Sequence, residues 1–247
     1  MSAAHDGRAD RREDGRENGQ RSGAGIPARF AEAFGDWVPQ AVVFDCDGLL
    51  LDTESVWQRT EDLVVARHGA RLLEGDADLL HGSTIEVAAE LIARRSGHDE
   101  QEVLADLHRE FDRELATGIR TMPGAAEILE LTGQKVPLGC ASNSWLSSLE
   151  EKLERGGMRE HFAVLEASDT VERPKPFPDM YAAAARALGA APEQVLALED
   201  SGTGAQAARE AGLRLIAVPV GGHDAPPSDL TLTSLTDPDL RAWIASW

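Results

Sequence analysis

The tightest constraint on the fold is a repeated arrangement in which a short apolar run, too brief for a helix, ends in polar residues. Ala41-Val42-Val43-Phe44 passes directly into Asp45-Cys46-Asp47-Gly48, and Val136-Pro137-Leu138-Gly139-Cys140-Ala141 into Ser142-Asn143. Phe162-Ala163-Val164-Leu165 is a further run, Val195-Leu196-Ala197-Leu198 precedes Glu199-Asp200, and Leu215-Ile216-Ala217-Val218 follows later. Short apolar runs without alternation read as strands buried on both faces. Helical patterns separate them: Leu146, Leu149 and Leu153 on one face, a helix around Tyr181 to Leu188, and another over Ala205 to Ala211. Strand alternating with helix predicts an α/β fold, a Rossmann-like parallel sheet core flanked by helices.

One segment breaks the alternation. From Glu54 to about Ile119 the periodicity is purely helical, with Trp57, Thr60 and Val64 on one face, Ile85, Ala88, Leu91 and Ile92 on a second, and Leu104, Leu107, Phe111 and Leu115 on a third. Residues 53–121 are therefore expected to form an inserted α-helical cap domain, and residues 40–52 and 122–247 the core. Residues 1–39 are expected to be a disordered or loosely docked tail, because the first 25 carry almost no large apolar side chain to offset the entropy of ordering. Phe30, Phe34 and Trp37 have the spacing to dock one short helix.

A net charge of −19 argues against nucleic acid and against an anionic membrane surface as partners. Two cysteines, Cys46 and Cys140, supply neither a disulfide scaffold nor a zinc site, and no early apolar run has the length of a signal peptide or span. These features predict a monomer in the cytoplasm with reduced thiols.

The polar signatures fall at the carboxyl ends of predicted strands, the edge where open α/β sheets bind ligands. A carboxylate there can attack a phosphoryl group and form an acyl phosphate that water later cleaves. Anion attacking anion requires a cation, and Mg²⁺ takes oxygen ligands of the kind that Asp45, Glu199 and Asp200 offer. Asp47, two residues from Asp45, is placed to protonate the leaving oxygen and then to activate water. The Ser142 hydroxyl, the Lys175 ammonium and backbone N–H groups near Gly48 are candidate donors to the transferring phosphoryl oxygens.

Phe44-Asp45-Cys46-Asp47-Gly48-Leu49-Leu50-Leu51-Asp52-Thr53-Glu54 resembles the first motif of the haloacid dehalogenase superfamily, in the branch of β-phosphoglucomutase and the sugar-phosphate phosphatases. Ala141-Ser142-Asn143-Ser144 resembles the second motif, Lys175-Pro176-Phe177-Pro178-Asp179 the third, and Leu198-Glu199-Asp200-Ser201-Gly202-Thr203-Gly204 the fourth. The resemblance implies Asp45 as nucleophile, Asp47 as general acid/base, and metal ligation by Asp45, the Asp47 main-chain carbonyl, Asp200 and Glu199. It further implies phosphate contacts from Ser142 and Asn143, with Lys175 bridging phosphate and nucleophile, and a helical cap whose closure excludes water. Arg173-Pro174 stands before Lys175, where the family commonly has Gly.

The reaction expected is Mg²⁺-dependent hydrolysis of a small phosphorylated metabolite. A phosphosugar mutase would keep the same core, a phosphoglycolate-type phosphatase differs in substrate, and a 2-haloacid dehalogenase needs neither Asp47 nor the metal. Residues 53–121 hold eight Lys/Arg and fifteen Asp/Glu, which disfavours polyanions and suits a neutral sugar or polyol carrying one phosphate. Trp57 follows Asp52-Thr53 where the mutases carry a histidine; indole has no basic nitrogen and offers a flat wall to a sugar. Plainer roles are expected for Ser144 and Asp52 as helix caps, for Asp179 at a helix start, and for Gly202 and Gly204 as sources of backbone freedom.

Overall fold

The computed structural model describes residues 25–76, 80, 85–219 and 225–247; the expected disorder of the first residues lies outside that set. Six parallel strands form one sheet: β1 (Ala41–Phe44), β2 (Leu138–Ala141), β3 (Val164–Glu166), β4 (Val195–Glu199), β5 (Arg214–Ala217) and β6 (Leu230–Thr231), in the spatial order β3-β2-β1-β4-β5-β6. The chain leaves β1 toward β2 on one side and later places β4 on the other, with Phe44 registered against both Cys140 and Leu198. A topological switch therefore sits at the carboxyl end of β1, where such sheets open a crevice.

Strand alternation gives the sheet two unlike faces. Val42, Phe44, Leu138, Cys140, Leu196, Leu198 and Ile216 point to one, where large side chains fill the space. That face is covered by α5 (Ala125–Gly133), α6 (Leu146–Arg155) and α9 (Pro238–Ala245), with α1 (Ala28–Phe34) packed against α9 and β6. Phe30 and Phe34 are buried against Trp243, at centroid distances of 4.9 and 4.7 Å, and Arg29 pairs with Asp237 and Asp239. The other face presents Ala41, Val43, Val195, Ala197 and Leu215 to α7 (Asp179–Ala187) and α8 (Gly202–Glu210). Both helices turn alanines inward, which lets them lie close to the strands.

The helices read from the 53–121 segment are α2 (Thr53–His68), α3 (Ile85–Ser96) and α4 (Glu100–Thr117). Asp52 caps α2 by accepting from Ser55 N–H at 3.2 Å, and Gly69 ends it at φ 62°, a conformation that costs glycine little. Asp99 caps α4 with bonds from Gln101 and Glu102 N–H. Val64, Ala88, Leu91, Ile92, Val103 and Leu107 close an apolar core separate from those of the sheet. The segment leaves and rejoins the sheet through adjacent stretches: Leu51 bridges Thr121, Asp52 N–H donates to Arg120 O at 2.9 Å, and Met122 N–H donates to Leu50 O at 2.8 Å.

β6, α5 and α9 add to the elements expected from the sequence. β6 is two residues long and is a strand only because β5 offers it a ladder. No helix among the described residues is long and apolar enough to cross a membrane.

Candidate active site

The polar signatures meet at the switch point. Asp45 follows β1, Glu199 ends β4, and Lys175 arrives from the loop before α7; all three are buried. Lys175 Nζ donates to Asp45 Oδ1 at 2.5 Å, to Glu199 Oε1 at 2.5 Å and to the Ala141 carbonyl at 2.8 Å, using all three ammonium donors. Tyr181 from α7 adds a hydroxyl bond to Glu199 Oε1 at 2.7 Å.

Glu199 is held from below as well. Its Oε2 accepts from Ser201 N–H and Oγ, at 3.2 and 3.0 Å, at the first turn of α8. The carboxylate lies so close to that turn that a Cβ on Gly204 would stand 1.7 Å from Glu199 Oε1. Gly204 is thus required for space. Neither Gly202 nor Gly204 has a positive φ, which corrects the expectation that they provide backbone freedom.

Asp45, Glu199 and Asp200 bring ligand-type oxygens within 4.8 Å of one another. Asp45 Oδ2 and Asp200 Oδ1 are buried and have no hydrogen-bond partner. Buried carboxylate oxygens left unpaired are costly unless a cation receives them. Burial, with the charges of Glu199 and Asp200 added, pushes Asp45 well above the usual carboxylate range despite Lys175. Burial and Glu199 likewise push Asp200 up to about 7. These oxygens fit a metal ion, and carboxylates with raised proton affinity are what remains when that charge is left out.

Asp47 has a different setting. Its Oδ2 accepts from Ser142 Oγ at 2.8 Å and Ser144 Oγ at 3.1 Å, and its Oδ1 pairs with Lys152 from α6. Burial opposes ionisation, but the Lys152 ammonium and the hydroxyl donors outweigh it and hold Asp47 below the usual range. A third of the Asp47 side chain remains exposed, whereas Lys152 is 3% exposed.

Several expected roles change. Ser144 does not cap α6: its hydroxyl is spent on Asp47 and lies 2.6 Å from Lys152 Nζ. Asn143 clamps the lysine loop, donating to Lys175 O at 3.1 Å and accepting from Lys175 N–H at 3.0 Å. Gly48 N–H, one of the candidate phosphate donors, is committed to Leu51 O at 2.9 Å. Trp57 is half-buried and packs on Phe111 of α4 at a centroid distance of 4.8 Å, and no hydrogen bond or ring contact among the described residues joins it to the carboxylates. Sequence reasoning missed Lys152 and Tyr181. The available signal for Lys152 was its position within the Leu146, Leu149, Leu153 stripe, where a charge has no reason to lie against a core.

Comparison with known proteins agrees with this geometry. The profile of haloacid dehalogenase-like hydrolases matches residues 42–218. Hexitol phosphatase B of Escherichia coli (strain K12) is 33% identical over 210 residues, covering 80% of this chain and 93% of that enzyme. The phosphorylated carbohydrates phosphatase of Thermotoga maritima is 29% identical over 191 residues, 72% of this chain and 83% of that one. Among solved structures, CbbY from Rhodobacter sphaeroides in complex with phosphate superposes with a TM-score of 0.66 at 28% identity, covering 81% of this chain and 96% of CbbY. With its motifs gathered at one sheet edge, the chain belongs to the haloacid dehalogenase-like hydrolases, as a phosphatase close to the β-phosphoglucomutase-like and sugar-phosphate enzymes.

Proposed function

We propose that the protein is a Mg²⁺-dependent phosphatase of sugar or polyol phosphates, acting in the cytoplasm through a phospho-aspartate on Asp45. The observation that carries this reading is the division of labour at Asp45: Lys175 fixes Oδ1, while Oδ2 is buried and unpartnered. Asp45, Asp200, Glu199 and the Asp47 carbonyl would hold the metal, which supplies the positive charge that an anionic nucleophile and an anionic substrate both need.

The chain's own groups account for the remaining steps. Asp45 attacks phosphorus, the ester P–O bond breaks, and its electron pair leaves on the alkoxide oxygen. Asp47, held ionised in the resting site by Lys152 and the two serine hydroxyls, takes up a proton as the anionic phosphate arrives beside it and gives that proton to the leaving oxygen. Water then attacks the phosphorus of the aspartyl phosphate, Asp47 takes its proton, and inorganic phosphate departs with Asp45 regenerated. Lys175 balances charge on Asp45 and on the phosphoryl oxygens, Ser142 and Asn143 set the phosphate-side loops, and Trp57 serves as an apolar wall in the cap. The mostly neutral substrate follows from the acidic cap and from relatives named for hexitol and carbohydrate phosphates.

The test is phosphate release from a panel of phosphorylated metabolites with Mg²⁺ and with EDTA. Metal-dependent release from hexose or hexitol phosphates is expected. Conversion of β-glucose 1-phosphate with a bisphosphate primer mainly to glucose 6-phosphate would replace the hydrolase reading with a mutase.

A further inference from the structure

The second buried lysine has no part in the mechanism above. Lys152 lies on α6, ten residues beyond Ser142, on the face that carries Leu149 and Leu153 into the core. A lysine there loses its hydration, a cost that only its partners can offset. An apolar residue would serve the packing at least as well. Its ammonium reaches neither Asp45 nor Glu199 by hydrogen bond; it pairs with Asp47 Oδ1 and donates to Ser144 Oγ at 2.6 Å. Ser144 in turn donates to Asp47 Oδ2, as Ser142 does from the other side. Both oxygens of Asp47 are thus gripped from within the protein, while a third of the side chain stays open to solvent.

That arrangement fixes direction. A carboxylate held at both oxygens by donors on β2's exit loop and on α6 cannot rotate freely about its terminal bond. The part of Asp47 left open to solvent is the part that can meet an ester oxygen as a protonated carboxyl. The backbone of the same loop is itself pinned, with Ser144 N–H on Ser142 Oγ at 3.0 Å and Ser168 N–H on Ser144 O at 3.0 Å. We propose that Lys152, with Ser144, is a positioning residue that aims the Asp47 carboxyl at the leaving-group oxygen. Lys152 touches no substrate and acts only through Asp47. The inference rests on the phosphatase reading and on Asp47 as the proton donor within it.

The role predicts a dependence on leaving group that a purely structural lysine does not produce. An alkyl phosphate needs a proton on its departing oxygen; 2,4-dinitrophenyl phosphate does not, because dinitrophenolate leaves unaided. The experiment compares kcat/KM, which reports the first phosphoryl transfer, for the best alkyl substrate of the panel and for 2,4-dinitrophenyl phosphate with Mg²⁺. Lys152→Met should lose about 10- to 100-fold on the alkyl phosphate and no more than about threefold on the aryl one, within the range of acid catalysis. Asp47→Asn should show the same asymmetry, and the double variant should be no worse than Asp47→Asn alone, since both changes remove one effect. Lys152→Gln, which keeps an N–H donor, should recover part of the alkyl activity and serves if Lys152→Met does not fold. Equal losses on both substrates, or additive losses in the double variant, would overturn the positioning role while leaving the phosphatase reading intact. A wild-type protein that releases phosphate from neither substrate would overturn both together.

Discussion

Asp45 and Asp47 stand two residues apart, each paired with its own buried lysine, yet the two ends of this tripeptide are built in opposite ways. Lys175 divides its ammonium between Asp45, Glu199 and a carbonyl, so one cation faces several carboxylates. Two carboxylate oxygens are left unpaired, in a cluster of three carboxylates that shares the single ammonium of Lys175. Lys152 faces Asp47 almost alone, with two hydroxyls completing the shell. The Asp45 end is deficient in positive charge, as a site that must receive a metal has to be. The Asp47 end is saturated, as a group that must hold one orientation has to be. Carboxylates two residues apart with unlike surroundings are what the proposed division between nucleophile and proton carrier requires of one loop.

The sharpest way to break the comparison is Asp45→Asn, which removes the charge-deficient end without changing its size. Turnover should fall by about 10⁴-fold or more, with a circular dichroism spectrum like that of the wild type. Residual activity near the wild-type level would dissolve the distinction between the two ends.

Asp47→Asn should cost about 10²–10⁴-fold in steady-state turnover on alkyl phosphates. It should leave Asp45 able to accept a phosphoryl group from an activated ester. Mass spectrometry of the quenched variant should then find a phosphate adduct on the peptide containing Asp45, and the wild type should show less of it. Failure to trap any adduct, with turnover equally low, would place Asp47 in folding or metal retention instead.

The pH dependence sharpens the comparison further. Asp45 lies well above the usual carboxylate range and Asp200 near 7 in the metal-free protein. A carboxyl whose folded-state pKa is raised stabilises the fold fully below its unfolded value near 4. That contribution is lost as pH climbs through the folded value. The metal-free protein should therefore melt several degrees lower at pH 8 than at pH 6, and saturating Mg²⁺ should remove most of the difference. Mg²⁺ affinity should weaken as pH drops below about 7, because protons then compete for Asp200. Thermal melts at both pH values with and without Mg²⁺ decide this; identical pH profiles would mean the carboxylates are not the metal's ligands.

A smaller effect lies in the cap. Glu61 on α2 is a buried carboxylate; burial, helped by Glu54 and Asp62, pushes it up to about 7. Like Asp45 it is a carboxylate whose proton affinity burial and neighbouring acids raise. Glu61→Gln should melt higher than wild type at pH 8, and the difference should shrink as pH falls toward the unfolded value near 4. A lower melting temperature at pH 8 would reveal that the charge has a favourable partner.

The two ends also differ in how well they can be read from sequence. Asp45, Glu199 and Asp200 sit at or beside strand ends, where an apolar run breaks into charge, and the α/β architecture converts those breaks into one edge, to which the loop before α7 brings Lys175. Asp47 was legible from its spacing to Asp45. What surrounds it was not. Ser144 looks like a helix cap because it stands just before α6, and only the tertiary approach of Lys152 turns its hydroxyl to another use. Asn143 offers a side-chain amide that fits a phosphate equally well until the Lys175 backbone is placed against it. The strand boundaries shifted by one or two residues for a similar reason: pairing partners, absent from any local pattern, decide where a ladder begins and stops. The helices of residues 53–121 were visible because their apolar faces repeat with helical period, while β6 was too short to leave a pattern.

The zipper that joins residues 50–52 to residues 120–122 has a consequence for protein engineering. Entry to and exit from the helical segment lie side by side, so its removal leaves two chain ends within a short linker's reach. A few flexible residues would reseal the sheet unit at little entropic cost, since closure depends only weakly on loop length. The same geometry makes the segment a cassette: another helical bundle with neighbouring termini can be spliced into the gap without stretching β1 or α5. Substrate range in such chimaeras would be set by the graft, and the phosphoryl-transfer edge would be inherited unchanged from the host.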